Sequence, residues 1–240
     1  MKLYKSINKS TQTKHRGSKR LNIYVNSLMD STTTAHQVAS FLLETEAVKL
    51  RPEQPFKWSS GWNSPIYCDN RVTLSFPYIR SYIKDALAAL IREHYTEAEA
   101  IAGVATAGIA QGALVADLLE MPFLYVRPQP KSHGMGNQIE GRLLPGQRVV
   151  LVEDLISTGG SSLKAAEAVK AAGGEVVGMV AIFTYGFPVA EENFRKAGIP
   201  LYCLSNYNAL TEAALANGYI PESAMEALAR WRESPETWGV

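Results

Sequence analysis

Arg148-Val149-Val150-Leu151-Val152-Glu153-Asp154-Leu155-Ile156-Ser157-Thr158-Gly159-Gly160-Ser161-Ser162 is the stretch that decides how this chain folds. Its apolar part predicts a buried strand at Arg148–Val152. Two acids stand at the carboxyl end of that strand. A short Ser/Thr/Gly loop follows, and then a helix is predicted at Ser162–Ala172, stopped by Gly173-Gly174. Small residues let backbone N–H groups come close to an anion, and a helix start adds its positive dipole end. The hydroxyls of Ser157, Thr158, Ser161 and Ser162 are further donors. That builds a phosphate cradle. Two carboxylates one turn away suit the vicinal hydroxyls of a sugar, directly or through a divalent cation. The loop therefore favours a sugar phosphate over a bare phosphate.

Working outward, the same strand–helix alternation recurs. Strands are predicted at Ala100–Val104, Phe123–Val126, Val176–Phe183 and Leu201–Leu204. Helices are predicted at Ile109–Leu119, Val189–Ala197, Tyr207–Asn217 and Glu222–Arg232. This pattern predicts an α/β fold: a central, mostly parallel sheet flanked by helices. Upstream, a helix starting near Thr34 carries Val38, Phe41, Leu42 and Leu50, and Pro52 and Pro55 end it. The turn-rich run Phe56–Asp69 reads as a hairpin or small hood. A second helix follows Pro77, with Ile79, Ile83, Ala86, Leu87, Leu90 and Ile91 on one face. Residues 128–141 are polar and Gly-rich, without periodicity.

Other phosphate-binding patterns fail. There is no Gly-Lys dipeptide and hence no Walker A loop. Gly103, Gly108 and Gly112 are too widely spaced for a dinucleotide fingerprint. Two cysteines, Cys68 and Cys203, are too few for a disulfide framework or a zinc site, which suits a reducing, cytoplasmic compartment. No apolar run approaches the length of a membrane span.

The 240 residues carry a formal charge of +1, but unevenly. Residues 1–29 hold seven cations (Lys2, Lys5, Lys9, Lys14, Arg16, Lys19, Arg20) and no acid. The remainder has 17 cations against 23 acids, a net of −6. The leader reads as a disordered tail, as a basic arm, or as an artefact of start assignment with Met29 the true start. The domain proper is expected over residues 30–240.

Val149–Ser162 resembles the phosphoribosyl-diphosphate (PRPP) signature of type I phosphoribosyltransferases. The resemblance runs through most of residues 34–220. Phe56–Arg71, Arg127–Gly141 and Tyr202–Tyr207 are similar to orotate phosphoribosyltransferases in particular. It implies the type I phosphoribosyltransferase fold and transfer of phosphoribose from PRPP to orotate, giving orotidine 5′-monophosphate and diphosphate. It also implies Mg²⁺, held mainly by PRPP and water and not by protein ligands. A homodimer is implied too, with a mobile loop reaching the other subunit's site.

By the same resemblance Lys131, His133 and Asp154 are catalytic. Arg127, Lys131, His133, Glu153, Asp154, Leu155, Ile156, Ser157, Thr158, Gly159, Gly160 and Ser161 bind PRPP. Ser157 and Tyr67 meet orotate. The chemistry agrees. Cations aimed at a departing diphosphate stabilise the transition state selectively. Glycines 134, 136, 141 and 146 permit a lid that excludes water. Gly103–Gly108 is a candidate diphosphate loop at a helix start.

The chain departs from the family where Ser59, Ala107 and Pro128 replace lysines. It departs again near Tyr185, where an orotate-binding arginine is common. Arg71 or the Tyr185–Phe187 loop is left to compensate. Rival readings are a transferase for another nucleobase, a PRPP-sensing transcription regulator using the basic arm, and a sugar-phosphate isomerase. The loop offers the last no general base. The lid disfavours the sensor, and nucleic acid is not expected as a partner.

Overall fold

The computed structural model describes residues 31–58, 61–129 and 138–239. The basic leader, Ser59, Lys131 and His133 lie outside the described residues.

The chain opens with α1 (Ser31–Glu44), β1 (Val48–Leu50), β2 (Phe56–Lys57), β3 (Asn63–Ser64) and β4 (Ile66–Cys68). A 3₁₀ helix (Asn70–Ser75) leads to α2 (Pro77–His94). The alternating part then runs β5 (Ala100–Val104), α3 (Gly108–Leu119), β6 (Phe123–Val126), β7 (Ile139–Glu140), β8 (Arg148–Ile156), α4 (Gly160–Ala171), β9 (Glu175–Thr184), α5 (Pro188–Ala197), β10 (Leu201–Asn206), α6 (Tyr207–Ala216) and α7 (Met225–Glu233).

Six strands form one sheet in the order β10-β9-β8-β5-β6-β7. All its pairings are parallel except that β7 runs antiparallel to β6. β8 shows why the sheet is buried on both faces. Val150 and Val152 join the core with α1, α2, α3 and α6, whereas Val149 and Leu151 join the core with α4 and α5. A strand covered by helices on both sides has to be apolar throughout. The local signals agree with the elements. Pro77 and Pro188 stand at helix starts, where a missing N–H costs nothing. Gly198 ends α5 with φ +64°.

Leu50 is a correction to the expected first helix. That helix stops at Glu44, Glu46 takes φ +56°, and Val48–Leu50 turns back as a strand paired with Ile66–Cys68. The helical spacing of Leu50 is coincidental. The hood is thus two small antiparallel pairs, β1–β4 and β2–β3.

α7 clasps the hood from below. Trp231 is fully buried and meets Trp58, Tyr185, Phe187 and Tyr207 with ring centroids 5.4–5.6 Å apart. Its indole Nε1 donates to the Asn63 carbonyl at 3.2 Å. The Asn63 amide in turn donates to the Gly239 carbonyl at 3.0 Å.

Candidate active site

Chain order places the site. From β5 the chain crosses to β6 on one side, while β8 lies on the other side of β5 and leads on to β9. The strand order therefore reverses between β5 and β8, and ligands of open α/β sheets bind at the carboxyl ends of strands at such a point. Two helices start there, α3 after β5 and α4 after β8. Neither start has a side-chain cap; its N-cap residue is Ala107 in one and Gly159 in the other. Apart from Ile109, whose N–H donates to the Thr106 carbonyl at 3.3 Å, their first N–H groups are available to anions.

The start of α3 is packed on the end of β8, and the start of α4 on α5. A Cβ on Gly108 would strike the Val152 carbonyl oxygen and come within 3.4 Å of the Glu153 Cα. Only glycine lets α3 sit this close to the end of β8. Gly159 has φ +79°, and a Cβ there would fall 2.8 Å from Cε2 of the buried Phe194 ring. The loop peptide is further held where the Asn193 amide donates to the Thr158 carbonyl at 3.0 Å.

β8 runs four residues past its expected end, through both acids, because β9 pairs with it as far as Ile156–Thr184. Glu153 points inward and is only 6% exposed. Its Oε2 accepts from the Ser162 hydroxyl at 2.9 Å and its Oε1 from the Asp154 N–H at 3.0 Å. Ser162 is thus committed to Glu153 and is not a phosphate donor, contrary to expectation; its position one turn into α4 turns it inward. Burial, reinforced by neighbouring Asp154, pushes the Glu153 carboxyl well above its usual range. Burial raises Asp154 as well, against its hydrogen bond with Glu153. Of the pair, Glu153 keeps its proton more readily, which leaves half-buried Asp154 as the carboxylate facing outward.

Ser157 and Thr158 are half-buried, and Gly160 and Ser161 are exposed. Leu155 is half-buried. Ile156 is fully buried, and its carbonyl accepts from the Tyr185 N–H at 3.1 Å and from the Thr184 hydroxyl at 3.3 Å.

The hood reaches the same strand end. The Asn70 amide donates to the Asp154 carbonyl at 2.7 Å. The ring of Tyr67 is 44% exposed and lies 5.6 Å from Phe56. Arg71 forms a two-pronged pair with Asp69, Nε to Oδ1 at 2.7 Å and Nη2 to Oδ2 at 2.9 Å. Tyr185 is 2% exposed, packed between Trp58, Phe183 and Phe187. Phe187 is equally buried, so the side chains of the Tyr185–Phe187 loop are not presented to a base.

Arg127 follows β6. Its backbone N–H donates to the Gln138 carbonyl and its carbonyl accepts from the Gln138 side chain, each at 2.8 Å. These bonds tie Arg127 to Gln138. The Arg127 guanidinium stands 3.8 Å from Glu140. A cavity of about 420 Å³ lined by Trp62, Thr158, Phe187 and Arg232 adjoins the Ser157–Ser161 loop. Another, of about 430 Å³ between Leu50–Gln54 and Tyr219–Ala227, lies away from the acids. Among the described residues no cluster of three or more His, Cys, Asp or Glu is placed to hold a metal ion.

Residues 79–198 match the family described as "Phosphoribosyl transferase domain". Over 202 residues the chain is 60% identical to the orotate phosphoribosyltransferase of Cytophaga hutchinsonii, covering 84% of this chain and 97% of that one. The chain belongs to the orotate phosphoribosyltransferase family. The family enzyme of Bacillus subtilis is 55% identical over 200 residues, which is 83% of this chain and 93% of that relative. The crystal structure of orotate phosphoribosyltransferase from Aeropyrum pernix superposes with a TM-score of 0.66 at 32% identity, over 77% of this chain and 99% of that one. The fold is that of the type I phosphoribosyltransferases, as the PRPP-like signature implied.

Proposed function

We propose that this chain transfers the 5-phosphoribosyl group of PRPP to orotate, giving orotidine 5′-monophosphate and diphosphate in pyrimidine nucleotide synthesis. The observation that carries the reading is the pair of uncapped helix starts at neighbouring strand ends, with Glu153 and Asp154 on one of those strands. One cradle suits the 5′-phosphate and the other the diphosphate.

The N–H groups and hydroxyls of Ser157–Ser161 hold the 5′-phosphate. Asp154, backed by Glu153, accepts from the ribose hydroxyls. The start of α3 and Arg127 face the diphosphate, and Lys131 and His133 on the lid meet the charge that grows on it as it leaves. Tyr67 offers its exposed face to the base, and Ser157 its hydroxyl. Little covalent work falls to the protein; positioning and charge stabilisation carry the rate. The donor set fits magnesium that would arrive on PRPP and water, with no cluster of protein ligands needed to hold it. Bound there, the ion neutralises diphosphate charge.

The lid starts at Arg127, just after β6 and near the rim of the sheet, which suits a loop that completes the site of a second copy in a homodimer. Two unpaired cysteines suit the cytoplasm, and among the described residues no helix is long and apolar enough to cross a membrane.

The test is diphosphate release from PRPP with orotate, uracil, adenine or hypoxanthine, with and without Mg²⁺. Orotate is expected to be the preferred acceptor, and release to need the metal. Equal or better release with a purine would refute the substrate. PRPP binding without release on any acceptor would point to the sensor.

A further inference from the structure

Orotate differs from uracil by a carboxylate, and a carboxylate bound beside Asp154 needs a cation to offset that acid. With Tyr185 where the family's arginine is common, that cation has to come from elsewhere in the chain. The described cations around the hood can be sorted by what they already do. Arg232 spends all three guanidinium nitrogens on the protein: Nε on the Tyr185 carbonyl, Nη2 on the Gly186 carbonyl and Nη1 on Asn208. Arg51 lies over the Phe56 ring at 5.1 Å, and Lys49, opposite Tyr67 in β1, is paired with Glu46 at 2.8 Å. Lys57 follows Phe56 in β2, and because Phe56 meets Tyr67, Lys57 points to the opposite face.

Arg71 is different. Its neighbour Asn70 is tied to the Asp154 carbonyl, which fixes the start of the 3₁₀ helix against the end of β8. Its guanidinium is close enough to Asp154 to feel that carboxylate's charge. The Nε/Nη2 edge is taken by Asp69, while 57% of the side chain is exposed. A guanidinium has five donors in a planar fork, so an Nη1/Nη2 edge remains after one carboxylate is bound.

The geometry points to that open edge of Arg71 as the docking point for the carboxylate of the pyrimidine acceptor, with Asp69 holding the guanidinium in place from its other edge. This rests on the orotate transfer proposed above. Arg71 is then the specificity-determining residue that replaces the family's arginine from the opposite side of the base: from the hood in place of the loop after β9. The arrangement accounts for the buried Tyr185, since a base anchored through the hood needs no side chain from that loop.

The test uses the full chain with Arg71→Gln and Arg71→Lys. Orotate and PRPP are varied separately, and uracil serves as the acceptor lacking the carboxylate. Arg71 is exposed, so both variants are expected to fold, with a thermal melt as the check. Arg71→Gln is expected to raise the orotate KM about 10- to 100-fold, the range of a lost charge-assisted pair, with PRPP KM nearly unchanged. The orotate-to-uracil preference falls by the same factor. Arg71→Lys moves in the same direction, because an ammonium paired with Asp69 has no second edge to offer. An unchanged orotate KM and preference in the folded variants would overturn the inference. Failure of the parent reading is distinguishable: wild-type protein would then release no diphosphate with orotate.

Discussion

Gly159 and Gly160 are neighbours of identical type, and the structure assigns them opposite tolerances. Gly159 has φ +79°, where an L-residue costs about 1–2 kcal/mol. An added methyl there would also lie 2.8 Å and 3.2 Å from two ring carbons of Phe194. Phe194 is 4% exposed and has nowhere to turn, so overpacking adds about 1–3 kcal/mol. Together Gly159→Ala should cost about 2–5 kcal/mol. For a chain of this length that lowers Tm by about 4–20 °C. The methyl on Gly160 meets nothing nearer than the Thr158 hydroxyl at 3.9 Å, and the residue is already helical. Gly160→Ala should therefore hold or slightly raise Tm, since alanine is the better helix former. Catalysis should separate too. Gly159→Ala should tilt the N–H groups proposed to receive the 5′-phosphate, and misplacement of about 1 Å costs about 100-fold in turnover. Thermal unfolding of both variants, with kcat/KM for PRPP measured on Gly159→Ala, makes the test. Equal losses of Tm in the two variants, or wild-type Tm and activity in Gly159→Ala, would refute the reasoning.

Glu153→Gln should stabilise the unliganded protein while slowing turnover, since the amide keeps its contacts with Ser162 and the Asp154 N–H but carries no buried charge. A carboxyl raised by burial supports the fold while protonated and costs stability as pH rises through its folded value. The Tm advantage of the variant should thus be smallest near pH 5 and widen toward pH 8; melts across that range would exclude the idea if the gap stayed flat. Asp154→Asn and Lys131→Ala should each slow diphosphate release strongly with far-UV circular dichroism unchanged, and wild-type rates in either would contradict the assigned roles. Trp231→Ala should cost about 3–5 kcal/mol, seen in a denaturant midpoint, because a fully buried indole that joins four rings is removed. Its residual activity should show a raised orotate KM, and a KM shift confined to PRPP would argue against the clasp supporting the hood.

How much was legible in advance depended on how local each signal was. Ala100–Val104 and Phe123–Val126 were readable to the residue, because a short apolar run bounded by small residues or proline leaves no alternative. The type I phosphoribosyltransferase signature was readable from Val149–Ser162, since strand, acids, Ser/Thr/Gly loop and helix are consecutive, while orotate as the acceptor rested on Phe56–Arg71, Arg127–Gly141 and Tyr202–Tyr207. What escaped was set by distant partners. β8 extends to Ile156 because β9 is long enough to pair with it, and two acids do not look like strand interior. β7 is two residues inside a polar stretch, held only by its antiparallel partner. Leu50 obeyed helical spacing, yet its strand is set by Ile66 across the hood. Ser162 looked like any other loop hydroxyl until the inward turn of α4 put it on Glu153. The burial of Tyr185 depends on Trp231 in α7, 46 residues downstream, and no spacing rule spans that distance.

Asn63 bonds to Trp231 and Gly239, partners 168 and 176 residues further along the chain. On a ribosome adding about 5–20 residues per second, the hood therefore waits roughly 10–30 s between its own emergence and the arrival of the helix that clasps it. Throughout that interval Trp58 lacks the indole that covers it, and Tyr185 lacks it from its own synthesis onward, so their aromatic surface is open to chaperones or to neighbouring nascent chains. The sheet and its phosphate loop, complete once β10 has emerged, can form earlier. A stalled chain ending before Trp231 would accordingly be expected to bind PRPP but not to hold the base, so that transfer begins only after synthesis has passed the last contact of the hood.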